Sequence, residues 1–152
     1  MEDWRDKLLW LAVGAVVGWF GQVASRRYSI RTDAIGSRID ETCDAADELA
    51  NVASKYWALS PRDANLAAIA REVRVKNHAL RSLVGYLGDD INNLTGFIDE
   101  PLERLSELAT GGNFDVMGRA ADPSLELNIR TSATEFKLAC RVAERSYFRA
   151  IL

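Results

Sequence analysis

The sequence predicts an all-α chain: one N-terminal transmembrane helix followed by an antiparallel bundle of about three long helices. Three observations predict it. Leu8 to Ala24 carries no charged residue. From residue 30 to the end, apolar or small residues recur at alternating steps of three and four, the period of a helix face. No stretch alternates with period two, and no long run is rich in β-branched residues, so nothing favours a sheet.

The uncharged run comes first in the chain. Its 17 residues are at the low end for crossing a bilayer, which takes ~20 apolar residues as a helix. Gln22 is its only strongly polar residue, and Trp4, Trp10, Trp19 and Tyr28 lie toward its two ends, where amphipathic rings meet lipid headgroups. Residues 1–28 therefore form the expected anchor, with a short tail outside. Before the run, Glu2, Asp3 and Asp6 outweigh Arg5 and Lys7; after it come Arg26, Arg27, Arg31 and Arg38 against Asp33 alone. Juxtamembrane Lys and Arg stay in the cytoplasm. The expected location is a bacterial inner membrane, single-pass, with the N-terminus outside and a cytoplasmic bundle over 29–152. An acidic start and a glycine-broken apolar stretch argue against a cleaved signal peptide. The run has no polar face, which argues against a helix lying in the membrane surface.

Gly14, Gly18 and Gly21 answer to a membrane setting. Gly14 and Gly18 have the small-xxx-small spacing that lets two helix backbones approach in lipid, where dispersion contacts drive pairing. Gly21 falls on nearly the same side. These three are the expected helix-pairing residues, and Arg26, Arg27 and Arg31 the juxtamembrane basic residues.

The first bundle helix is expected from about 30 to 59, with a seam of Ile35, Ile39, Thr42, Ala46, Leu49, Ala53 and Tyr56. Ser60, Pro61 and Asp63 suit an N-cap, first helical residue and capping-box acid for the next helix. Its seam runs through Leu66, Ala70, Val73, Asn77, Leu80, Val84 and Leu87, and keeps phase through Ile91, Leu94, Ile98, Leu105 and Leu108. That phase favours one long helix kinked near Pro101 over two helices parted near Gly88. Gly111 and Gly112 mark a stop. A connecting loop follows, with Phe114 and Val116 or Met117 tucked onto the bundle. Asp122 and Pro123 open the last helix, whose seam is Leu125, Ile129, Ser132, Phe136, Ala139, Ala143 and Tyr147.

Little in the chain points to chemistry. Lys plus Arg number 19 and Asp plus Glu 22, so no bulk attraction to nucleic acid is expected. Cys43 and Cys140 have no CxxC or Cys/His spacing, so neither a disulfide framework nor a zinc site is expected, and a reducing compartment fits. His78 is the only histidine and has no local orienting partner or co-ligand. Asp89, Asp90, Asp99, Glu100, Glu103 and Glu107 match no metal-loop spacing and read as a solvated face. Arg130, Lys137, Arg141 and Arg145 can form a basic face on the last helix. Setting aside Arg5, Lys7, Glu2, Asp3 and Asp6 leaves 17 bases and 19 acids from Arg26 onward, so internal neutralisation of that face is the default. No catalytic, cofactor-binding or metal-binding residue is expected.

In layout the chain resembles small bacterial membrane proteins that have an N-terminal anchor, an arginine-rich juxtamembrane stretch and a cytoplasmic helical bundle. The Ser60-Pro61 helix start and the "TGGNFD" and "ADPS" segments carry the likeness. Some such proteins sit in anti-phage defence loci, which implies a membrane effector. The functional expectation is a non-enzymatic interaction module. It contacts the bilayer and either a second copy of itself or a membrane or cytoplasmic protein. The alternatives are a periplasmic, envelope-spanning rod like the phage spanins, against which the juxtamembrane arginines count, and a helical-bundle enzyme.

Overall fold

The computed structural model describes the backbone of residues 3–91, 95–116 and 119–151. It contains four helices and, among the described residues, no strand: α1 (Asp3–Ala58), α2 (Leu66–Asp90), α3 (Thr95–Thr110) and α4 (Ser124–Ile151). Contacts divide the chain into two compact units, Met1–Ile35 and Gly36–Leu152.

The second unit is a four-helix bundle whose neighbours are identified by ion pairs. Glu48 of α1 meets Lys76 of α2 at 2.5 Å, and Arg81 of α2 meets Glu103 of α3 at 2.7 Å. Arg104 of α3 meets Glu135 of α4 at 3.3 Å, and Lys137 of α4 returns to Asp47 of α1 at 2.7 Å. The ring of contacts closes. These pairs are substantially exposed, so each contributes little stability. Burial holds the bundle together: Ile39, Leu49 and Tyr56 of α1, Val73, Leu80 and Leu87 of α2, Ile98 and Leu105 of α3, and Ile129 and Phe136 of α4 are all under 3% exposed. Each such side chain contributes roughly 1.5–3 kcal/mol relative to exposure.

The seam of the first bundle helix is buried at every position named above. Thr42 is tolerated there because its hydroxyl donates to the Arg38 carbonyl at 2.8 Å. Asn77 accepts a hydrogen bond from the Ser106 hydroxyl at 2.9 Å, which fixes α2 against α3.

Two boundaries differ from expectation. The Ser60–Asp63 segment is not the start of α2. Ser60 turns on itself, accepting from the Arg62 N–H at 3.4 Å and the Asp63 N–H at 3.0 Å. Asp63 then accepts from the Asn65 N–H at 2.8 Å, and the helix begins at Leu66. These short side-chain turns compete with capping for the same residues. Further on, α2 and α3 are two helices rather than one kinked at Pro101. The chain turns extended at Ile91 (φ −123°, ψ 101°). Asp89 and Asp90 occupy the last turn of α2, where no base is present, and acids oppose the dipole at a helix C-terminus. Pro101 lies inside α3. An interior proline costs ~3 kcal/mol, and burial of Ile98, Leu102, Leu105 and Ala109 outweighs it. The bundle therefore has four helical segments where about three were expected.

The remaining expectations have mixed outcomes. The Gly111 N–H donates to the Glu107 carbonyl at 2.7 Å, and Gly112 takes the left-handed conformation (φ 59°). Asp122 opens α4 as a cap, accepting from the Ser124 N–H at 3.1 Å. Phe114 packs inward, whereas Val116 is 51% exposed and Met117 lies outside the described residues. Among the described residues, no helix is long and apolar enough to cross a membrane. Of Leu8 to Ala24, only Gly14, Ala15, Gly18, Trp19, Gln22 and Val23 have described side chains.

Candidate functional site

Cavities open at two places on the bundle. One is a groove between α1 and α2. It comprises two adjoining cavities of about 370 and 470 Å³ that share Glu41 and Leu83. Helical spacing places Asp40, Glu41, Asp44 and Glu48 along its α1 wall, while α2 contributes Lys76, Ala79 and Leu83. Asp40 and Glu48 are already held by Arg141 and Lys76. Glu41 and Asp44 are exposed. The exposed Tyr86 closes one end beside Arg38 and Asp89. The groove is acidic and carries no nucleophile paired with a base.

The other is the bundle end where α1 and α3 finish and α4 begins. Arg119 is 4% exposed. Its guanidinium lies 4.1 Å from the Tyr56 ring centroid and 4.9 Å from that of Trp57. It donates to the carbonyl oxygens of Tyr56 and Ala120, and its Nε has no partner. Phe114 stacks on Tyr56 at 4.6 Å. The Tyr56 hydroxyl accepts from the Asp115 N–H at 2.9 Å, and the Trp57 indole donates to the Ala109 carbonyl at 3.3 Å. Cation–π contacts and charge-assisted hydrogen bonds offset part of the cost of the buried charge. This arrangement clamps the 111–123 connection onto the bundle. The sequence does not single out Arg119: a lone arginine between Gly118 and Ala120 in a loop gives no local signal of burial.

Two basic residues of α4, Lys137 and Arg141, face α1's acids. Lys137 reaches Asp47 at 2.7 Å, and Arg141 reaches Asp40 and Glu144. Arg130 contacts Glu126 and Asn51 at 3.1 and 3.2 Å. Arg145 is exposed. Three of the four named residues are thus used within the bundle, the internal match that the charge count favours.

Gly14 and Gly18 are exposed, and a Cβ on either meets nothing within 4 Å. Trp19 beside them is 61% exposed, and Arg26 is exposed. The Gly21, Arg27 and Arg31 side chains lie outside the described residues. His78 is exposed on α2, and Glu103 is the member of the acidic set that pairs with Arg81. Among the described residues, no three His, Cys, Asp or Glu side chains are grouped to hold a metal ion.

Comparison with protein-family models, curated proteins and solved structures found no match. The resemblance in layout to proteins of defence loci draws no support from it.

Proposed function

We propose that this chain is a non-enzymatic, membrane-anchored helical module that self-associates through its anchor and displays the bundle at the cytoplasmic face of a bacterial inner membrane. One observation carries the reading: an uncharged run whose glycines, Gly14 and Gly18, share one helix face and open outward. Glycine costs a water-exposed helix up to ~1 kcal/mol each, whereas in lipid the same residues permit close backbone approach. Arg26, Arg27, Arg31 and Arg38 supply the orientation. The bundle then presents the acidic α1–α2 groove to the cytoplasm, where it can hold a protein partner.

The test is crosslinking of the full chain in detergent micelles. The double variant Gly14→Ile, Gly18→Ile keeps the run apolar while filling the flat face, and is expected to lose most of the crosslinked dimer. Unchanged crosslinking removes the glycine face from the account.

A further inference from the structure

Cys43 and Cys140 take no part in the proposed anchor or groove, and both are free thiols in the core, 7% and 0% exposed. The α1–α4 seam brings them together. It is antiparallel: Asp40 pairs with Arg141, and seven residues on, Asp47 pairs with Lys137. Residue 43 lies between those two rungs on α1, so its opposite number on α4 lies between Lys137 and Arg141. Cys140 is one of those residues, and the two buried thiols are neighbours that shift each other's ionisation. Ala46 and Ala143, both buried beside the pair, keep side-chain bulk off the seam, and close approach of the two backbones is what a disulfide requires.

We propose that Cys43 and Cys140 are a redox pair that forms an intramolecular disulfide, stapling α1 to α4, when the chain meets a hydroperoxide. Cys43 is the attacking sulfur. The neighbouring Cys140 thiol lowers its pKa, with Arg141 and Lys137 adding to that effect against burial and the Asp40 charge. Its thiolate attacks one peroxide oxygen. The O–O bond breaks, the leaving oxygen departs as hydroxide or alkoxide and takes up a proton, and Cys43 becomes a sulfenic acid. The Cys140 sulfur then attacks Cys43, forming the S–S bond. The sulfenic oxygen leaves with the Cys140 proton as water. Two thiols are oxidised, and one hydroperoxide is reduced to an alcohol (or water) plus water. In a reducing compartment the pair rests as thiols and closes only under oxidative load. Because the bridge closes most of the bundle into one loop, it restricts the unfolded chain strongly.

The experiment treats the purified full chain with hydrogen peroxide, blocks remaining thiols with an alkylating agent, and maps the peptides. The expected product is a monomer in which the peptide containing Cys43 is joined to the one containing Cys140. Its melting temperature should rise by roughly 10 °C and return on adding dithiothreitol. Cys43→Ala and Cys140→Ala should each abolish the joined peptide; should either fail to fold, the wild-type map decides alone. Two alkylatable thiols after peroxide and denaturation would overturn the proposal. So would oxidation that stops at sulfinic acid or yields only intermolecular disulfides.

Discussion

Gly111 and Gly112 end α3 for different reasons. A Cβ at Gly111 would sit 2.3 Å from the Glu107 carbonyl oxygen, a backbone atom that cannot swing away, whereas Gly112 needs its positive φ. Gly111→Ala is therefore expected to destabilise the bundle by about 1–3 kcal/mol, measured by urea unfolding. Gly85 gives the opposite sign. It lies exposed inside α2, and a Cβ there meets nothing within 4 Å, so Gly85→Ala should add about 0.5–1 kcal/mol. The two substitutions are chemically identical and differ only in what surrounds the new methyl group. The glycine pair was legible as a helix stop from sequence. That Gly111 is excluded from Ala by backbone rather than by φ was not, because that depends on how tightly the last turn closes.

At the scale of elements, the seams of α1, α2 and α4 were legible because hydrophobic phase survives any choice of helix end. Ile39, Leu49 and Tyr56 needed only their spacing. The width of the stripes was not legible. Cys43, Ala133 and Cys140 are buried one position away from the residues chosen for the seams, because a helix with two bundle neighbours buries a broader face than a coiled-coil seam. Phase also misled. It continues from Leu87 to Ile98 although the chain breaks between them, since a new helix entering the same core must present its apolar residues to it. Two carboxylates contribute to the behaviour of these elements in acid. The Ser124 hydroxyl, then the backbone N–H groups of Ser124 and Leu125, hold the Asp122 carboxyl below its ordinary range; Arg81 does the same for Glu103. Depressed folded pKa values mean that this stabilisation is full above the unfolded carboxylate pKa and is lost as pH falls through the folded values. Glu103 is exposed and Asp122 half-exposed, so the effect is modest. Asp122→Asn with Glu103→Gln should lower the melting temperature near neutral pH. The double variant should also lose less stability than wild type between about pH 5 and about pH 2, followed by circular dichroism.

On the scale of the whole molecule, charge and hydrophobicity separate into two arrangements. From Gly36 onward, bases and acids pair around a closed ring of four helices, and Lys137 and Arg141 of α4 are turned against α1. This explains why much of the basic stripe in the sequence is neutralised inside the bundle, while Arg145 stays exposed. The stretch before it is organised differently, with an uncharged run, outward-opening glycines and arginines after it. The proposal that a membrane accounts for all three together is the central claim. Its most direct test is fractionation of bacterial cells expressing the full chain, followed by an alkaline carbonate wash of the membranes. The account predicts that the chain stays in the washed membrane pellet, and that deleting residues 8–24 moves it to the soluble fraction. Recovery of the intact chain in the soluble fraction, or its release by the wash, would contradict the anchor.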